Sequence, residues 1–123
     1  MIIVATDAPM TSRNLGRLAK RAILGISQTG SFISNGSGDL VVAFSVHKTM
    51  RILHSGAPRL VGAPELSNDS LSPLFQATKE ATEEAVYNAL LQAVSMEGYR
   101  GHKAEALPLD RLKALLRKYG RSR

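Results

Sequence analysis

The segment Asn35-Gly36-Ser37-Gly38-Asp39 is the densest polar constellation in the chain. Ser37 and Asp39 stand two positions apart, so in extended backbone their side chains leave the same side. A hydroxyl and a carboxylate converging at the mouth of a strand are suited to positioning an amine. Gly36 and Gly38 permit left-handed or strained backbone and let a substrate come close. Consecutive N–H groups in such a turn can form an anion-binding nest. The same string is also the composition of a flexible surface turn. Asp7 is a second carboxylate at a strand end, suited to acid–base work and equally to capping a helix or shaping a turn. His47, His54 and His102 lack metal-ligand spacing, so no metal site is expected. Walker loops, dinucleotide fingerprints and the GxSxG nucleophile elbow are missing, and no cofactor is expected.

The elements that must hold these residues follow from periodicity. Ile2, Ile3, Val4 and Thr6 form a continuous apolar run, the pattern of a strand buried on both faces. Asp7-Ala8-Pro9 ends it. Thr11 or Ser12 can cap a helix whose stripe is Leu15, Leu18, Ala19, Ala22, Ile23 and Ile26, with Gly30 as its stop. The polar connection 31–38 leads to a second buried strand over 40–46. Residues 47–68 lose all pattern, with a strand piece expected near 59–61; long irregular stretches are often functional. Ser72-Pro73 opens a helix that is expected to reach Gly98. Its alanines, Ala81, Ala85, Ala89 and Ala93, suggest close approach to another helix or a sheet. A last helix follows Pro108, with Leu109, Leu112, Leu115 and Leu116 inward and Gly120 as its stop. Two strands do not complete a sheet, so this α/β chain is expected to borrow strands from another chain or to pair with itself.

At 123 residues the chain fits one domain, 1–123, with 44% apolar residues to build its core. Without Cys there is no disulfide framework, thiolate site or Cys nucleophile. No segment approaches the about 18 apolar residues of a membrane span, and a cytoplasmic location is expected. The net charge of +6 concentrates in Arg13, Arg17, Lys20 and Arg21, and again in Arg111, Lys113, Arg117, Lys118, Arg121 and Arg123. Solvated helix faces and a frayed tail account for it, and so does a negatively charged partner subunit. Only Tyr119 interleaves with the basic residues, too little for a base-stacking platform, so nucleic acid is not the expected partner.

IIVATDAP, NLGRLAKRAILGISQTGS, SNGSGD, LVVAFS, LSNDSLSPLFQATKEATEEAVYNALLQA and GHKAEALPLDRLKALLRKYGR occur in this order. Together they resemble the β-subunit of the DmpA/BapA family of aminopeptidases, which includes L-aminopeptidase/D-esterases and β-peptidyl aminopeptidases. The resemblance weakens only between His47 and Pro64. It implies a precursor that cuts itself before a serine, which becomes an N-terminal nucleophile with its own α-amine as base. It also implies a four-layer αββα sandwich shared with a larger α-subunit, and a tetramer of heterodimers acting on small peptides, amides or esters.

Carried onto this sequence, the resemblance makes Ser37 and Asp39 the supports of that nucleophile. Ser37 would hydrogen-bond the serine or its amine, and Asp39 would hold the ammonium by charge pairing. Asn35, Gly36 and Gly38 would shape the loop or touch substrate. The family's serine falls two positions before the residue matching Met1, so the chain by itself is expected to be inactive. Ser12, Ser31 and Ser34 have no free α-amine and are no substitutes. A non-catalytic scaffold or binding subunit of the same fold is the alternative. An acyltransferase related to ornithine acetyltransferases ranks below both, because those use a threonine nucleophile and lack the NGSGD context.

Overall fold

A computed structural model of the chain describes residues 1–52, 54 and 65–121. The strand piece expected at 59–61 lies outside them. The chain divides into two compact units, Met1–Glu84 and Ala85–Arg123.

In the first unit, β1 (Ile2–Thr6) and β2 (Val41–Ser45) pair in parallel, Ile2 opposite Val41 through Thr6 opposite Ser45. A parallel pair needs a crossover, and α1 (Ser12–Gln28) supplies it. Its stripe packs on the sheet: Met10, Leu18 and Leu71 are buried, with Val4, Ala8, Leu15, Leu66, Leu74 and Phe75 against them. The start of α2 (Ser72–Leu91) lies on the same side. Gly30, at φ 98°, follows the C-terminus of α1 in the left-handed conformation that its position predicts. Thr11 occupies the N-cap position without a side-chain cap, and its hydroxyl donates to Glu65 Oε2 at 2.6 Å.

Three expectations for the long elements are corrected. The strands are covered on one face only: along both, half-buried residues alternate with exposed ones, and Ile3 is 66% and Val42 53% exposed. Their continuous apolarity anticipates a further layer, which the described residues of Met1–Glu84 do not supply. The alanines expected to make the close contact do not make it, since Ala81, Ala85 and Ala89 of α2 and Ala93 beyond its end are exposed. The close approach is made by Gly25 of α1, where a Cβ would stand 2.5 Å from the Lys79 carbonyl oxygen and 2.7 Å from Thr82 Cβ. Thr78 and Thr82 are buried there, and each donates its hydroxyl to the carbonyl four residues earlier at 2.8 Å.

In the second unit, α2 ends at Leu91 rather than near Gly98. The residues beyond form a hairpin, β3 (Met96–Glu97) against β4 (Lys103–Ala104), with antiparallel pairing. Its turn places Arg100 and Gly101 at positive φ, and Glu97 pairs with Lys103 at 3.5 Å. Helix α3 (Leu109–Lys118) ends as its glycine predicts. Gly120 sits at φ 65°, its N–H donates to the Arg117 carbonyl, and that of Arg121 donates to the Leu116 carbonyl at 2.8 Å, a Schellman closure.

Candidate active site

The loop 34–39 enters β2 from its N-terminal end. A turn is closed where the Ser37 N–H donates to the Ser34 carbonyl at 2.8 Å. Beyond it, the Ser37 hydroxyl donates to Asp39 Oδ2 at 2.5 Å, so the pair singled out by spacing is brought together. Asn35, Gly36, Ser37, Gly38 and Asp39 are all exposed. Neither Gly36 nor Gly38 adopts positive φ, so the left-handed backbone anticipated there is not what the loop uses. The strain sits upstream at Ile33, at φ 54°, an uncommon conformation for a β-branched side chain. Around Gly36 and Gly38 a Cβ would meet nothing within 4 Å, leaving the loop open to an approaching group.

The sheet register decides what stands beside this loop. The Ile2 N–H donates to the Leu40 carbonyl at 2.8 Å, and Ile2 is level with Val41. Neighbouring strands lie about 4.8 Å apart. The start of β1 is therefore beside the Leu40 end of the loop. Asp7 is at the other end of β1, a strand of five residues and about 16 Å away. His47 caps a short 3₁₀ turn, its Nδ1 accepting from the Thr49 N–H at 3.3 Å and lying 2.8 Å from Thr49 Oγ1. Among the described residues no group of three His, Cys, Asp or Glu could hold a metal ion, and no helix is long and apolar enough to cross a membrane.

One cluster escaped the sequence reading. Asn14, four residues before Leu18 on the buried side of α1, is 1% exposed and donates from Nδ2 to Glu65 Oε2 at 2.9 Å. Its position in register with the apolar stripe was the available signal.

Comparison with known proteins gives this geometry a context. The chain is 40% identical over 121 residues to the β-peptidyl aminopeptidase BapA of Sphingosinicella microcystinivorans, covering 98% of this chain and 30% of that protein. The corresponding enzyme of Sphingosinicella xenopeptidilytica is 35% identical, over 95% of this chain and 29% of its own length. Among solved structures, the PH0078 protein of Pyrococcus horikoshii superposes with a TM-score of 0.84 at 48% identity, covering 98% of this chain and 34% of that one. An L-aminopeptidase D-Ala-esterase/amidase from Ochrobactrum anthropi, a serine aminopeptidase with a variant Ntn-hydrolase fold, superposes at 0.82 with 34% identity, over 98% and 34%. The chain thus spans about a third or less of the relatives it matches, and its α/β fold is that of the corresponding part of DmpA-like Ntn hydrolases. The sequence profile of peptidase family S58 matches residues 1–104, and the chain belongs to that family.

Proposed function

We propose that this chain, acting as one domain, is the β-subunit of a self-processing N-terminal-nucleophile aminopeptidase that removes N-terminal residues from small peptides, amides or esters. The observation that carries the proposal is the Ser37–Asp39 hydrogen bond in the loop that leads into the N-terminal end of β2, the end beside which β1 begins. A serine nucleophile two positions before Met1 continues β1 and comes level with Gly38 on that register. Its α-amine, freed by cleavage of the precursor, has a pKa of about 7.7–8.0 and accepts the hydroxyl proton near neutrality. The serine oxygen then attacks the substrate carbonyl, and the amine returns the proton to the leaving nitrogen.

The supporting pair has a definite polarity. The Ser37 hydroxyl has one proton, and Asp39 receives it. The Ser37 oxygen is left as an acceptor for an N–H of the α-amine or for the nucleophilic hydroxyl. Asp39 places a negative charge where the ammonium forms. Asn35, Gly36 and Gly38 keep the loop narrow and open, and no metal or cofactor takes part. Oxyanion donors and the pocket walls that choose the substrate belong to a larger α-subunit, and the pair assembles as a tetramer of heterodimers. The names of the relatives, β-peptidyl aminopeptidase and L-aminopeptidase D-Ala-esterase/amidase, support this substrate class.

The test is Ser37→Ala and Asp39→Asn in the complete protein, assayed on an amino-acid p-nitroanilide. Each is expected to lower kcat by about a hundred-fold or more. Unchanged kcat in both would refute the assignment of these residues.

A further inference from the structure

Arg17 and Arg21 lie one turn apart on α1 and are both half-buried. Their guanidinium carbons stand over one aromatic ring, 5.2 and 4.2 Å from the centroid of Phe75. Arg17 Nη1 donates to Asn14 Oδ1 at 3.0 Å and to Asn68 Oδ1 at 2.7 Å, and Arg21 Nη1 donates to the Arg17 carbonyl at 3.3 Å. Every hydrogen-bond acceptor in this set is neutral. The two cations are oriented, and their charge is not neutralised.

Glu65 is the carboxylate closest to them through the network, but it stands behind the Asn14 amide and accepts from Asn14 and Thr11. Among the described residues of Met1–Glu84, neither guanidinium is found in an ion pair with a carboxylate. Residues 53, 55–64 and 122–123 contain no Asp or Glu. Holding two like charges against one ring, partly out of water, is unfavourable without an anion. The cation–π contacts offset this only in part. A pair of planar forks fixed in this way is a ready receptor for a carboxylate.

We propose that Arg17 and Arg21, braced on Phe75 and aimed by Asn14 and Asn68, are an ion-pairing anchor for an acidic side chain of the companion polypeptide. The inference rests on the reading above that such a companion exists, and the relatives, of which this chain spans 30%, leave length for it. The net charge of +6 calls for the same complement. Nothing in the catalytic proposal uses these arginines.

The experiment compares the complete two-chain protein with its Arg17→Gln/Arg21→Gln and Arg17→Lys/Arg21→Lys forms, with circular dichroism to verify the fold of each. The Kd between the chains is measured at low and high sodium chloride. The wild type is expected to weaken with salt, the Gln form to bind about ten-fold less tightly at low salt with a flatter salt dependence, and the Lys form to recover part of the loss. Equal Kd and equal salt dependence in wild type and Gln form overturn the inference, as does a protein that contains no companion chain. If the Gln form loses only a binding response to inorganic phosphate, titrated by calorimetry, the pair serves a free anion and the inference is again overturned. Turnover is not the readout, so an inactive complex with arginine-dependent association would sink the aminopeptidase reading and leave this one standing.

Discussion

Ser37 and Asp39 were legible because their relation is local. A two-residue spacing leading into a strand brings two side chains to one side, and the structure joins them by a 2.5 Å hydrogen bond. Ile33 was not legible, since a β-branched residue signals extended backbone and its φ of 54° is imposed by the loop around it. The proposed chemistry gives Asp39 a pH signature. A carboxylate beside the nucleophile's ammonium favours the charged form and raises the pKa of that amine. The amine acts as base only when neutral, so activity is lost as pH falls through its pKa. Asp39→Asn removes the charge and lowers that pKa, and the acidic limb of the kcat/KM profile is expected to move to lower pH. A limb unmoved by Asp39→Asn would mean that the carboxylate does not face the amine. Asn14 belongs to this scale as well. Asn14→Ala removes a buried amide that donates to the exposed Glu65 and accepts from the half-buried Arg17, and is expected to cost about 1 kcal/mol, read by urea unfolding.

The helices show where local signals suffice and where packing overrides them. Gly30 and Gly120 mark the ends of α1 and α3 because both positions need left-handed backbone. Gly120→Ala keeps the helix and strains its closure, for an expected loss of about 1 kcal/mol. The end of α2 was misplaced because the hairpin after it is fixed by cross-strand pairing of Met96–Glu97 with Lys103–Ala104, which no local pattern announces. The alanines of α2 suggest a close approach to another helix or a sheet, yet the close approach between α1 and α2 is made by Gly25 against Lys79 and Thr82. Backbone oxygen leaves a new methyl nowhere to go. Gly25→Ala is therefore expected to destabilise by about 1–3 kcal/mol, seen as a lower thermal midpoint, although alanine is the better helix former. A midpoint equal to or above the wild type would show that the two helices separate without cost.

At the scale of the molecule, the uncovered face of the two-stranded sheet explains the continuous apolarity of β1 and β2. Ile3, Val42 and Phe44 are 66, 53 and 43% exposed, an apolar surface that monomeric proteins seldom leave to water. The proposed companion supplies the missing layer. A Val42→Asp substitution is expected to abolish assembly in sedimentation analysis, and an unaffected complex would put the contact elsewhere. Two strands in the sequence already imply an incomplete sheet, but which face stays open is set by the side on which α1 packs. The most direct test of the central claim is intact-mass spectrometry of every chain in the native protein. The expected result is a larger chain together with a smaller one that begins at a serine two positions before Met1. A single uncut polypeptide carrying these residues in its interior would contradict self-processing and the N-terminal-nucleophile mechanism with it.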